Sequence, residues 1–82
     1  MQNITIIYQG NTLEGTYCSN LINGRNGQHV SHTIKIPKNA ISKGFFNGWR
    51  HDQSVTFECS PSGSGDYFLV QEDDQTYIFE TK

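Results

Sequence analysis

Short runs of alternating apolar and polar residues, separated by turn-forming dipeptides, limit the folds open to this chain more than any other feature. In the first run the apolar side chains are Ile4, Ile6 and Tyr8, at every second position. The alternation resumes after a glycine and an asparagine and continues from Leu13 to Tyr17. Since successive side chains of a strand point to opposite faces, each run predicts a strand with one buried face.

The first two runs predict a β-hairpin with a two-residue turn at residues 10–11. In this register Gln9 lies opposite Thr12 and Ile6 lies opposite Gly15. One face of the hairpin is then apolar throughout, which supports the register.

Four further strands are predicted by the same alternation. A turn-rich loop over residues 19–28 leads to the third strand, residues 29–36, which Pro37 ends. Asn39 is a suitable N-cap for a short helix that Gly44 would end. The remaining strands are predicted at residues 55–59, 67–71 and 76–81.

The predicted fold is therefore mainly β, a small α+β domain with about six short antiparallel strands and one short helix after the third strand. With 82 residues the chain can bury only one core, so residues 1–82 form a single domain. Closing the strands into a barrel or a strongly bent sheet would remove exposed edges. Any strand left at an edge could pair with a partner or form a homodimer.

Charge is segregated along the sequence. Between Gly15 and His51 there is no carboxylate, although five of the six cationic side chains lie there. These candidates for binding nucleic acid are Arg25, Lys35, Lys38, Lys43 and Arg50. The acidic turn, Glu72, Asp73 and Asp74, is the candidate for binding a basic groove on a protein partner, and a solvated turn is the alternative.

Apolar side chains outside the alternating runs are candidates for a contact surface. They are Leu21, Ile22, Phe45, Phe46 and Trp49. The aromatic members lie beside Lys43 and Arg50, as in platforms that stack single-stranded nucleic acid. Packing in the core is the stronger expectation for them, because so small a domain must bury most of its aromatic residues.

One segment resembles a known family of DNA-binding domains. The run from Ser31 to Lys43 contains Ile36-Pro37 and a short helix, and Asp52 introduces the next strand. This order is similar to the swapped-hairpin domain of AbrB-type regulators and MazE-type antitoxins, over residues 29–71 at most. The resemblance implies a dimer that presents basic residues of its first strand to DNA. It would place Lys35 and Lys38 against phosphate.

The sequence offers little for catalysis or for a cofactor. His51, Asp52 and a cysteine are the residue types of a nucleophilic triad, but adjacent strand residues point to opposite faces. His29 and His32 would likewise face opposite ways, and Cys18 and Cys59 lack the close spacing of structural zinc sites. We therefore expect no enzyme activity, no metal and no cofactor.

These observations favour a small non-enzymatic binding protein that occludes a macromolecular partner. Inhibitors, antitoxins and immunity proteins encoded by phages or mobile elements act in this way. The alternative is a DNA- or RNA-binding regulator that uses the basic residues of the segment 25–50. A protein or a protein–nucleic-acid complex is the expected partner, and a membrane is not.

The cysteines and the N-terminus bear on the cellular location. A secreted domain of this size usually carries several disulfides, whereas this chain has two cysteines. Residues 1–3 lack the basic and apolar regions of a signal peptide. We expect a cytoplasmic protein with reduced thiols, with Cys59 on a buried strand face and Cys18 exposed.

Overall fold

Two three-stranded meanders close on each other to form a six-stranded barrel. The computed structural model describes residues 1–81, apart from the side chain of Ile22. Around the barrel the strands follow the order β1-β2-β3-β6-β5-β4, and every neighbouring pair is antiparallel. The elements are β1 (Gln2–Tyr8), β2 (Asn11–Gly24), β3 (Gly27–Pro37), α1 (Ala40–Phe46), β4 (Ser54–Ser60), β5 (Gly65–Glu72) and β6 (Thr76–Glu80). The predicted mainly β class is confirmed, and of the two predicted forms, a barrel or a strongly bent sheet, the structure has the closed barrel.

The β1–β2 hairpin forms with a register that differs from the predicted one. Its turn begins one residue earlier, and Gln9 and Gly10 both have positive φ, 49° and 77°, as a type I′ turn requires. Ile6 therefore pairs with Leu13 rather than with Gly15. The pairing is displaced by two residues, and a displacement of two keeps each side chain on its predicted face.

The predicted loop over residues 19–28 is wrong, because most of it belongs to two long strands. The β2–β3 ladder continues without interruption from Thr16 and Lys35 to the closing pair of Gly24 and Gly27. Only residues 25–26 form the turn, and Gly27 has the positive φ of 109°. The first Asn-Gly dipeptide, residues 23–24, therefore ends β2, and the second, residues 26–27, joins the turn to the start of β3.

A capping box begins the only helix found among the described residues. The Asn39 side chain accepts hydrogen bonds from the backbone N–H groups of Ile41 and Ser42. The Ser42 hydroxyl in turn accepts from the N–H of Asn39. The helix passes through Gly44, where we expected it to end, and reaches Phe46. Burial of that aromatic ring outweighs the modest cost of a helical glycine.

Phe46 closes one end of the barrel and is completely buried. Its ring centroid lies 5.0 Å from that of Phe79 and 5.9 Å from that of Phe57, both in edge-to-face contact. The rest of the core comes from alternate strand positions. Its other members are Ile4, Ile6, Leu13, Ile34, Ile36, Val55, Phe57, Tyr67, Leu69, Tyr77 and Phe79.

The strand directions divide the loops between the two ends of the barrel. The helix end carries the β1–β2 turn, α1 and the acidic turn between β5 and β6. The opposite end carries the β4–β5 loop and the long β2–β3 hairpin. Over residues 1–81 no helix is long and apolar enough to cross a membrane.

Candidate functional site

The β2–β3 hairpin extends beyond the barrel as a two-stranded arm, residues 19–31. The pairing of β1 with β2 ends at Tyr17, and the pairing of β6 with β3 ends at Thr33. Among the described residues no strand pairs with the outer edge of either strand of the arm. The molecule consequently measures 41 Å along its longest axis and 20 Å along its shortest. The arm presents two open edges, while the barrel strands are paired on both sides.

One face of the arm carries an apolar pair. Leu21 and Val30 lie directly opposite each other and are 61% and 52% exposed. A pair of this kind contributes little to the barrel, because neither side chain belongs to the core cluster. An isolated two-stranded hairpin is marginally stable in water, so an exposed apolar pair at its centre is suited to a contact with another molecule.

The arm is almost uncharged and contains no carboxylate. Its one formal charge is Arg25, in the turn at the tip. Within the arm, residues 19–31, the chain has none of the lysines and prolines that commonly protect edge strands from pairing with other chains. The face opposite the apolar pair carries Asn20, His29 and Ser31.

Hydrogen bonds fix the base of the arm to the barrel. The Tyr17 hydroxyl bonds to Nδ1 of His32, and the backbone N–H of His32 donates to the hydroxyl of Thr81. The N–H of Thr81 donates back to the carbonyl of His32. The ring of Tyr17 also covers Gly63 in the β4–β5 loop, where any Cβ would lie 2.9 Å from the ring. The arm therefore leaves the barrel from a rigid base.

A groove of about 570 Å³ crosses the outer wall of the barrel. It lies over β1, β2 and β3, where the backbone of Gly15 approaches β3 so closely that a Cβ would stand 2.7 Å from the carbonyl oxygen of Lys35. Met1 and Pro37 contribute apolar surface to the groove. Its polar lining consists of Asn3, Thr5, Glu14, Thr16, Lys35 and Thr76.

The five basic candidates do not form one patch. Arg25 lies at the tip of the arm, whereas Lys38, Lys43 and Arg50 lie at the helix end. β3 alone separates these groups by its 11 residues, or about 35 Å of extended chain. Lys35 lies between them in the groove. The basic residues that are clustered in the sequence therefore do not form a single basic surface in the fold.

Two of the basic side chains at the helix end are paired with carboxylates. Arg50 makes two hydrogen bonds to Asp52, at 2.9 and 3.1 Å. The ammonium group of Lys38 lies 3.6 Å from a carboxylate oxygen of Glu72 and 4.9 Å from the centre of the Tyr77 ring. These pairs reduce the net positive charge that this end could present to phosphate.

The acidic turn mixes structural and exposed carboxylates. One oxygen of Asp73 accepts hydrogen bonds from the backbone N–H groups of Gln75 and Thr76, both at 2.8 Å. This carboxylate therefore shapes the turn. Glu72 pairs with Lys38, and Asp74 is exposed. Of the three predicted contact residues, Asp74 is the one whose side chain makes no hydrogen bond or ion pair with the described residues.

The aromatic candidates belong mostly to the core. Phe46 is completely buried, so the stronger expectation of packing in the core holds for it and its alternative role in a contact surface does not. Phe45 and Trp49 are half-buried and pack against the core, and the indole N–H of Trp49 donates to the carbonyl of Gln53. The small helix uses these rings to close the barrel. Leu21 remains as an exposed candidate, and the side chain of Ile22 lies outside the described residues.

Both cysteines are free and both are half-buried, so the predicted contrast between a buried Cys59 and an exposed Cys18 is wrong. Burial raises the pKa of the Cys59 thiol to about 11, which keeps the group protonated at neutral pH. Among the described residues no group of three or more histidine, cysteine or acidic side chains could hold a metal ion. His51 and Asp52 are exposed in the segment before β4.

Sequence reasoning missed the arm, the bond between Tyr17 and His32, and the groove. Residues 19–24 lack the apolar–polar alternation that would mark a longer strand, and the Asn-Gly dipeptides favoured a loop. No local signal pointed to the groove, since its residues come from four separate strands and the N-terminus.

Comparison with models of known protein families finds no match. Searches of curated proteins and of solved structures likewise find no similar protein.

Proposed function

We propose that this protein is a non-enzymatic binding protein whose arm pairs with an extended strand of a partner protein. By covering that strand it acts as an inhibitor, an antitoxin or an immunity-type protein. The observation that carries the proposal is the arm itself, with open edges on both sides and Leu21 and Val30 exposed between them. Strand addition gains affinity from main-chain hydrogen bonds and specificity from alternate side chains.

The partner strand we propose has apolar residues on one face and acidic residues around them. Leu21 and Val30 provide the apolar contact. Arg25 is the arm's only formally charged residue, and no carboxylate within residues 15–51 would repel an acidic strand. Charge complementarity of this kind mainly speeds association and excludes basic partners.

A rigid base favours binding by such an arm. The contacts of His32 with Tyr17 and Thr81 hold the arm at one end of a closed barrel. Less conformational freedom is then lost when a partner strand pairs with it.

The test compares two matched double variants. Leu21→Thr with Val30→Thr removes the apolar pair and keeps β-branched residues in the arm. Ile7→Thr with Val70→Thr removes two apolar side chains of similar exposure, 49% and 43%, from elsewhere on the barrel. We expect a partner captured from cells that encode the protein to be retained by the wild type and by the barrel variant, with at least tenfold weaker binding to the arm variant. Equal binding to all three purified proteins would refute the proposal.

Nucleic acid is the second candidate partner, and the shape of the arm favours it. The major groove of B-DNA admits a two-stranded β-ribbon, and asparagine, glutamine and arginine are the side chains that read base edges there. The arm carries Asn20, Asn23, Arg25, Asn26 and Gln28. This is also the function that the resemblance to AbrB- and MazE-type domains implies.

Electrostatics makes nucleic acid the weaker candidate, because the chain has a formal net charge of −2. A nucleic-acid complex would weaken steeply with salt. Arg25→Ala would then reduce retention of duplex DNA more than Lys43→Ala, a matched change at the helix end. Binding of duplex DNA that disappears with Arg25→Ala and has a steep salt dependence would favour this candidate over strand addition.

A further inference from the structure

We propose that the groove over Gly15 is a binding site for a dipeptide-sized zwitterion, which it holds between Lys35 and Glu14. This inference concerns a different surface from the arm and does not depend on the proposed function. The groove's volume of about 570 Å³ falls in the range of small-molecule sites, about 300–1,000 Å³. Gly15 maintains the close approach of β2 to β3 beneath it.

The polar side chains of the groove are uncommitted within the described chain. None of the six, Asn3, Thr5, Glu14, Thr16, Lys35 and Thr76, makes a side-chain hydrogen bond or an ion pair with residues 1–81. On β4 and β5, outside the groove, the hydroxyl of Thr56 donates to Asp66 at 2.6 Å. Convergence of free donors and acceptors in a concave site is a feature of ligand sites.

Two opposite charges share the groove without forming an ion pair. Lys35 is half-buried and lies directly opposite Thr16, and Glu14 lies two residues before Thr16 on the same face of β2. Lys35 and Glu14 are therefore diagonal neighbours, with Cα atoms about 7–8 Å apart by strand geometry. A molecule that carries both charges can lie between them and pair with each.

The charge arrangement determines the class of ligand. A simple anion paired with Lys35 would be repelled by Glu14, and a simple cation would be repelled by Lys35. A dipeptide has its ammonium and carboxylate groups about 6–7 Å apart in an extended conformation, so one molecule is long enough to contact both side chains of this diagonal pair. The threonine hydroxyls and the Asn3 amide can then bond to its peptide group, and Pro37 can contact an apolar side chain.

The test uses a matched set of peptides. Glycyl-leucine carries both charges, N-acetylglycyl-leucine lacks the cation, and glycyl-leucinamide lacks the anion. In ¹H–¹⁵N correlation spectra of the wild type, we expect glycyl-leucine to give saturable shifts at residues 3–5, 14–16 and 35. Each single-charge analogue should bind at least tenfold more weakly, because it loses one charge-assisted contact. Equal shifts from all three peptides, or no saturable shift with glycyl-leucine, would overturn the proposal.

Two variants and two controls assign the binding to these residues. Lys35→Gln and Glu14→Gln should each weaken glycyl-leucine binding at least tenfold. Lys43→Gln and Glu58→Gln change exposed charges outside the groove and should leave binding within twofold. If the controls weaken binding as much as the groove variants, the peptide is attracted by the general charge of the protein and the site is refuted. The comparison of the three peptides needs only the wild type, so it decides the matter even if a variant fails to fold.

Discussion

The Tyr17 hydroxyl is hydrogen-bonded to Nδ1 of His32, and the two rings are stacked with centroids 5.7 Å apart and planes inclined by 15°. The hydroxyl donates to Nδ1 in the tautomer that carries its proton on Nε2, and it accepts from Nδ1 in the other tautomer. The pair lies where the arm joins the barrel, and Tyr17 also covers the β4–β5 loop at Gly63. One side chain thus connects the arm to the neighbouring loop.

Tyr17→Phe should destabilise the protein by about 1 kcal/mol, the usual net contribution of one such hydrogen bond. Urea unfolding followed by fluorescence measures the change. Tyr8→Phe is the matched control, because the Tyr8 hydroxyl only accepts a 3.3 Å bond from the exposed side chain of Gln9. A loss in the control as large as that in Tyr17→Phe would show that the bond to His32 has no special role.

Two glycines should respond in opposite directions to the same substitution. Gly15→Ala would place a Cβ 2.7 Å from the carbonyl oxygen of Lys35, so we expect a loss of about 1–3 kcal/mol as β2 and β3 separate. Gly44→Ala meets open space in the middle of α1 and should stabilise by about 0.5–1 kcal/mol. Thermal unfolding of both variants tests the pair. A Gly15→Ala protein as stable as the wild type would contradict the close approach.

These glycines also illustrate how far sequence alone predicts the fold. Alternation predicted six strands and the faces of Ile6 and Leu13, because burial of one face is a local periodic signal. The end of the helix and the role of Gly15 depend on residues distant in the sequence, namely the aromatic partners of Phe46 and the backbone of Lys35. Contacts between residues distant in the sequence cannot be predicted from the residue pattern of a short segment.

The candidate site was predicted less well than the fold, for a similar reason. Leu21 is exposed, as its place among the contact candidates implies, but the two Asn-Gly dipeptides that follow it favour a loop over the strand that forms. Charge segregation along the sequence suggested a basic surface, but a barrel brings Lys38 beside Glu72. Six antiparallel strands reverse the chain repeatedly and so bring residues from distant parts of the sequence side by side. A cluster of like charges in the sequence therefore need not form a cluster on the surface.

Two carboxylates of the acidic turn should differ in their contribution to stability: Asp73 should stabilise the fold, and Asp74 should not. Asp73→Ala removes the acceptor for two backbone N–H groups and should cost about 1–2 kcal/mol. Asp74→Ala should change stability by less than about 0.5 kcal/mol. Asp73→Asn keeps an oxygen acceptor and should restore most of the loss. If Asp73→Asn is as unstable as Asp73→Ala, the negative charge of Asp73, rather than its oxygen acceptor, stabilises the turn.

Stability should fall as the pH rises above 9, in part because of Cys59. Its pKa is raised from 9.0 to about 11 in the folded protein by burial, so the unfolded chain loses this proton first. Fewer protons are then bound in the unfolded state, and the free energy of unfolding decreases with pH between about 9 and 11. Cys59→Ala should show a shallower decrease between pH 8.5 and 9.5, below the range in which the buried tyrosines contribute. Parallel pH profiles of the two proteins would refute this assignment.

The barrel should fold without the arm. None of the twelve core residues lies in the arm, and its base is closed by the cross-strand pair of Ser19 and His32. Replacing residues 20–31 by a single Asn-Gly turn joins this pair with a two-residue type I′ connection. Because the contacts of Tyr17 and Thr81 with His32 are kept, we expect a melting temperature within a few degrees of the wild type.

Circular dichroism and thermal unfolding of the shortened protein measure its fold and stability. The shortened protein should also lose binding to the arm's partner while it still binds glycyl-leucine. Unfolding of the shortened chain would show instead that the arm is part of the folding unit, and that its length serves stability rather than recognition.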